Sequence, residues 1–468
     1  MSVERIPLIG SLSDRLGTGA KDIILRNCYV EAPLGKEGGL FLVAKRPGLV
    51  EVRDLTDGQG RGLWEFAGNE YALVGNQLYK NGSAMDDTIG TSTGFVSADE
   101  ADESSRRLVF GDGSTIYYFE DATTEIDSVS SNEPASFIAT SVNQYDGYTF
   151  VATTEADLWN SDSLDITTWG ASANIRAEAR GDAGVGAFKF LDYLAVLGEK
   201  SLEFFWNSAG SPSPLSSYQG ATSKVGAPAG TSQCGLNIGD DYFFVGQLES
   251  GSRAVYMLKK SFEPQKVSNQ HIDSLLEAEG TNITNAWAFA VTVAGKTLYC
   301  LSLPTTADVT VVYDTELNLW YEWQIAGDGH MPVIGQAGVG GQRRTLHRST
   351  GQVLQWSDST KTDDGSNFDM VVQTTKWDGQ TKQVKFVSDT RIIGDIQSST
   401  ANVGVQWTDD DYQNLNTSRN IDMSDENSKL TRCGSFVRRA WKLTYTGALD
   451  ARWEAVEINS KTGHYARN

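Results

Sequence analysis

YLAVLGEKSLEFFWN (residues 193–207) contains two short apolar runs, YLAVLG and SLEFFWN, separated by a Glu-Lys break. Neither run is long enough for a helix. Both are rich in aromatic and aliphatic residues and the break is polar, so the stretch reads as a β-hairpin. The same unit recurs along the chain. YALVG is followed by QLYKNG (71–75, 77–82), RLVFG by TIYYFE (107–111, 115–120), and YTFVAT by DLWNSD (148–153, 157–162). Further on, YFFVG leads to AVYMLK (242–246, 254–259) and TLYCLSLP to TVVYD (297–304, 310–314). A weaker last unit joins RTLHRS to GQVLQWS (344–349, 351–357).

First strands begin near residues 71, 107, 148, 193, 242, 297 and 344, a mean step of roughly 46. A hairpin repeating every 40–50 residues is the signature of propeller blades, each a small sheet that buries its faces only against its neighbours. Such a sheet cannot stand alone, and a closed ring of them leaves no apolar face exposed. Six or seven blades fit the count. Because the steps are uneven, a set of hairpins in one or two β-sandwiches is the competing arrangement. Gly75, Gly111, Gly198 and Gly246 close the first strands, where a hairpin calls for φ > 0. Asp-Gly pairs at 112–113, 146–147 and 378–379 add turn chemistry.

Outside the repeat the texture changes. KQVKFVSDTRIIGDI, NVGVQWTDDDYQNLN, RRAWKLTYTG and ARWEAVEI read as longer alternating strands of a sandwich or jelly-roll module. The expected fold is therefore all-β: a propeller over residues 56–360 and a β-sandwich-like platform over 361–468, joined by the polar linker STKTDDGSN (359–367). Residues 1–55 carry strand pattern without matching the repeat, and are expected to pack on the platform or close the propeller. HIDSLLEAE (271–279) is the lone short helix candidate, with Ile272, Leu275 and Leu276 at helical spacing.

The chain has 468 residues, 39 basic and 60 acidic, for a net charge of −21. That balance gives no general electrostatic grip on nucleic acid or an anionic membrane. Cys28, Cys234, Cys300 and Cys433 lie far apart and are expected to be free, mostly buried thiols of a reducing compartment. MSVERIPLIGSL has no signal-peptide pattern, and no apolar run approaches the length of a membrane span. Both point to a soluble chain.

Catalytic patterns are lacking. His271, His330, His347 and His464 are widely separated, so no metal pair or HExxH exists, and each reads as a structural histidine. GEKS (198–201) resembles the tail of a P-loop, but Glu stands where glycine is required and strands flank it. There is no repeated aspartate box. No cofactor, metal or enzymatic activity is expected. Two acidic groups stand out, Asp409–Asp410–Asp411 and Asp363–Asp364. Asp409, Asp411 and Gln413 could supply alternate calcium ligands, and the competing reading is a hairpin turn capped by its own carboxylates. RCGSFVRRAWK (432–442) is the densest basic stretch, so Arg432, Arg438, Arg439 and Lys442 are candidate interface residues for an acidic neighbour. The Gly-, Ser- and Pro-rich stretch 208–228 reads as a long loop, adding Tyr218 and Lys224. Trp159, Trp206 and Trp356 recur on second strands and read as blade core.

Four stretches carry a family resemblance: NCYVEAP (27–33) with KRPGL (45–49); RGLWEFAGNEYALVGNQLYKNG (61–82); EKSLEFFWNSAG (199–210) with SYQGATSKVGAPAG (217–230); and RCGSFVRRAWKLTYTG (432–447). In order and texture the chain resembles the tail hub, or nozzle, proteins of short-tailed bacteriophages, also called packaged-DNA stabilisation proteins. The resemblance implies a virion tail protein made in the host cytoplasm and assembled as a homohexameric ring below the portal and its adaptor. Such a ring extends the channel for double-stranded DNA without specific binding, retains the genome and anchors spike, fibre or needle proteins. A carbohydrate-binding or carbohydrate-hydrolysing propeller and a cellular scaffold propeller are the alternatives.

Overall fold

The computed structural model describes residues 2–9, 13–14, 21–32, 41–55, 58–101, 105–327 and 329–463. His464 and Pro33 lie outside them.

Every repeated hairpin is the middle of a four-stranded antiparallel blade. In the fourth blade the strands Tyr193–Gly198 and Leu202–Asn207 are flanked by Gly184–Phe190 inside and Leu215–Ser223 outside. Both faces of the middle pair are buried. Ala195, Leu197, Leu202 and Phe204 meet Tyr242 and Phe244 of the next blade. Leu194, Val196 and Phe205, alternating with them, meet Phe150 and Leu158 of the preceding one. A strand sandwiched between two neighbours needs apolar side chains at every position, which is why the middle strands read as continuous runs.

Blade 1 runs from Gly60–Phe66 to Ser83–Thr88, blade 2 from Ala98–Ala101 to Asp127–Ser128, and blade 3 from Asn143–Tyr145 to Asp165–Arg176. Blade 5 runs from Leu236–Ile238 to Pro264–Lys266 and blade 6 from Trp287–Val293 to Leu319–Trp323. Blade 7 has Val333–Ala337, Arg344–His347 and Val353–Ser357, and takes its outer strand, Gly48–Arg53, from before blade 1. The inner strand of blade 7 meets the inner strand of blade 1, so seven blades close the circle. Glu70 of blade 1, 1% exposed, clamps this seam: Arg53 of the closing strand and Arg344 of blade 7 both donate to its carboxylate.

The platform is two sheets over a shared core. One contains Cys28–Glu31, Leu42–Lys45, Arg452–Gly463 and Val384–Gly394, with Ser2–Pro7 along the edge. The other contains Lys21–Arg26, Met370–Gln373, Ala440–Tyr445, Asn402–Thr408 and Arg419–Asp422. This second sheet is continuous with blade 6, because Arg26 pairs with Glu322 of its outer strand.

Several expectations change. Of the four strand-closing glycines only Gly75 has positive φ (56°). Gly111, Gly198 and Gly246 are there for space, since a Cβ would come within 2.5 Å of Phe137, 2.6 Å of Asp182 and 2.5 Å of Tyr256 respectively. The supposed loop 208–228 contains the strand Leu215–Ser223, an edge strand whose polar residues face outward. Nor is the supposed linker a free connection: its hairpin, Thr362–Asp363 with Ser366–Asn367, pairs with the closing strand. Trp206 is 44% exposed and does not serve as core, whereas Trp356 is buried. The helix covers Gln270–Glu279, with Asn269 capping it by accepting from the Ile272 amide at 3.1 Å. All four cysteines are free and buried, and burial pushes the Cys28, Cys234 and Cys300 thiols up. Among the described residues no helix is long and apolar enough to cross a membrane.

Candidate functional site

The basic stretch forms one corner of the platform, and its members have different roles there. Arg432 sits exposed between the short strands Leu430–Thr431 and Ser435–Phe436 at φ 58°. Arg438 is exposed and donates to Asp411 Oδ2 at 2.7 Å. Arg439 is 2% exposed: its Nε and Nη2 donate to Asp409 at 2.7 and 2.8 Å, and its Nη1 donates to the Cys433 carbonyl at 2.7 Å. The guanidinium also lies over the Phe436 and Trp407 rings. Arg439 is therefore an internal brace and is not available for docking. Lys442 is half-buried on the strand Ala440–Tyr445, and burial, with Arg26 nearby, lowers its pKa. Tyr218 and Lys224 lie far away on blade 4, where Tyr218 packs on Tyr193 and Phe262 and Lys224 is exposed.

The aspartate triplet holds this corner together. Asp409 serves Arg439, while Asp411 serves both Arg438 and Lys376, the latter at 2.9 Å. Asp410 accepts from the Asn414 amide and side chain and from Thr408, which hold its carboxyl down at about 2. The capped-turn reading describes Asp410, which accepts from the Asn414 amide, whereas Asp409 and Asp411 pair with the side chains of Arg439, Arg438 and Lys376.

A second constellation carries no charge pattern in the sequence, its three members lying in three separate stretches. Asn27 and Arg46 meet Asp363 where platform and propeller join. Arg46, fully buried, donates from Nη1 and Nη2 to Asp363 at 2.9 and 2.6 Å, and from Nε to Asn27 Oδ1 at 3.1 Å. It also reaches the Gln324 carbonyl at 2.7 Å and stacks on Phe368 at 3.7 Å. Asn27 donates in turn to the Asp369 carbonyl at 2.9 Å. Beside this knot Lys45 is fully buried, donating to the Gly447 carbonyl at 2.6 Å. Burial, reinforced by the Arg46 charge, holds its ammonium down at about 7. Lys361 pairs with Asp450 at 3.1 Å alongside. The knot ties blades 6 and 7 to the platform through groups that would be costly to leave unpaired.

The propeller axis is divided. Thr140, between blades 2 and 3, and Ser232, ahead of blade 5, hydrogen-bond through their hydroxyls. Two cavities of about 350 and 170 Å³ lie there, and both are lined by Ser97, Thr140, Ser232 and Gly235. Neither admits a duplex, whose major groove alone is ~12 Å wide.

A search of solved structures returned the N-terminal domain of Nup159 (11% identity, TM-score 0.39, covering 71% of this chain and 98% of that one). It also returned PorZ, a surface component of the type-IX secretion system of Porphyromonas gingivalis (15%, 0.39, 68% and 38%), and BamB from Moraxella catarrhalis (11%, 0.40, 76% and 96%). Likenesses so distant carry no conclusion. No curated protein sequence matches. The phage-stabilisation family, described as bacteriophage P22 Gp10, beta-propeller, matches residues 20–329. That span takes in the closing strand, the first six blades and the Asn27–Arg46 half of the knot, and the chain belongs to this family of phage structural β-propellers.

Proposed function

We propose that the chain is a non-catalytic subunit of a phage tail. Six copies form a hub or nozzle ring below the portal and adaptor, extend the DNA channel, retain the packaged genome and anchor spike, fibre or needle proteins. One observation supports this most: propeller and platform are a single welded β body with a divided axis, so a path for DNA must lie between copies and not through one. Charge agrees with that arrangement. Residues 58–360 hold 17 basic and 37 acidic side chains, so nearly all of the net charge of −21 resides in the propeller. A lumen sharing that sign repels phosphates and lets the duplex slide, because affinity for DNA comes from Lys and Arg contacts that release counterions. Imaging the assembled tail at low resolution tests the ring. A six-fold collar of this mass is the expected result, and a lumen lined mainly by Lys and Arg overturns the sliding account.

One observation favours a carbohydrate-binding propeller, namely the exposed Trp206 on blade 4. Glycan binding by the monomer, abolished in Trp206→Ala, would support that reading over the ring.

A further inference from the structure

A closed ring of identical subunits needs two different surfaces that fit each other, one on each flank, because a self-complementary patch stops at a dimer. The chain carries two surfaces of different charge. Blades 1–3, within residues 58–176, hold 5 basic and 19 acidic side chains, whereas residues 361–468 hold 14 basic and 15 acidic. Blade 3 lies about halfway round the circle from blades 6 and 7, which carry the platform.

At the tip of blade 3 the turn between Asp157–Asp162 and Asp165–Arg176 places Leu164 at φ 55°, 57% exposed. Leucine in the left-handed region costs about 1–2 kcal/mol, and a turn like this ordinarily takes Gly, Asn or Asp. Leu191 and Phe262 also have positive φ, but both pack against the core between blades 4 and 5. Leu164 joins none of the core clusters. A large, mostly exposed apolar side chain that strains its backbone and reaches none of its own chain's cores points to a contact outside it. Asp162 and Asp146 are exposed beside it, the Gly147 turn lying against the Leu164 side chain.

On the platform, Phe386 and Val437 are 41% and 43% exposed. The register of Val384–Gly394 sets Phe386 opposite Ser435 and Lys461, on the face away from the buried Lys385 and Phe436, and Val437 is the exposed residue that follows Phe436. Lys382 and Arg432 are exposed around them, as is Arg438, whose guanidinium is paired with Asp411. This surface is an apolar centre with a basic rim, and the blade 3 tip is an apolar knob with an acidic rim.

We propose that the Leu164 tip of one copy docks on the Phe386–Val437 patch of the next, head to tail. The proposal rests on the ring reading above. Burial of the apolar pair supplies the affinity, and the opposed rims set orientation and encounter rate.

The test uses three full-length chains: wild type, L164N/D162N and F386S/R438S. Each is first checked by thermal unfolding; asparagine suits the left-handed turn better than leucine, so the first variant keeps its fold. Sedimentation velocity and native mass spectrometry then follow assembly in solution, and incorporation into tails is scored in particles. Each variant alone is expected to lose the ring-sized species and to be missing from tails. Mixed one to one, the two are expected to form heterodimers and nothing larger, because each keeps one working surface. Rings that survive both pairs of substitutions overturn the patch assignment and leave the ring reading intact. A wild-type chain that is monomeric in solution and in the tail overturns the ring reading itself.

Discussion

At position 46 a guanidinium with no solvent contact satisfies a carboxylate, an amide and two backbone carbonyls at once. Deleting it strands Asp363 in the interior, so Arg46→Ala is expected to lower stability by about 3–5 kcal/mol. Urea unfolding measures this, and a loss well under 1 kcal/mol would mean that water already fills the site. Arg46→Lys keeps the charge and loses the fork, and is expected to recover only part. Its neighbour Lys45 makes a prediction about pH. Its ammonium sits at about 7 in the folded chain against the ordinary 10.5. Between those values the unfolded chain binds the extra proton, so stability rises with pH across that window and the penalty is full below it. Stability of the wild type relative to Lys45→Met is expected to increase from pH 7 to pH 9, read as the difference between two urea midpoints. A flat difference would contradict the burial of the ammonium. No residue in this knot was legible from sequence as a charge pair, because Asn27, Arg46 and Asp363 are brought together only by the fold.

Blades were legible through their middle strands alone. Tyr193–Gly198 and Leu202–Asn207 are apolar on both faces because both faces are covered, and every blade repeats that demand. Outer strands escape the pattern: in Ser83–Thr88 only Met85 is buried, and Leu215–Ser223 reads as a polar loop. The closing strand was harder still, since Gly48–Arg53 pairs with residues some three hundred positions later. In the basic corner, too, the residue type was visible and the partner was not: Arg439 looks like its neighbour Arg438 until Asp409 is placed beside it. The closing strand should be a weak point with a definite signature. Leu49, 1% exposed, lies opposite Trp356. Leu49→Ala is expected to cost about 2–5 kcal/mol, and hydrogen exchange should show the amides of Val353–Ser357 opening before those of blade 4. Uniform loss of protection across all blades would argue against a local seam.

As a whole the molecule is polarised, acidic through its blades and near balance in its platform. The free chain is therefore expected to show no salt-dependent affinity for duplex DNA, even at low ionic strength. Fluorescence anisotropy with a labelled duplex checks this, and binding whose strength falls steeply with added salt would contradict it. The route of the backbone between the two bodies has a mechanical corollary. Only Arg46 and Pro47 separate the platform strand Leu42–Lys45 from the closing strand Gly48–Arg53. A pull on the platform thus enters the closing strand lengthwise, and the ladder from Gly48 to Arg53 shares it in shear instead of peeling bond by bond. Traction from whatever is fastened to such a subunit would meet its greatest resistance at the stitch that keeps the propeller shut.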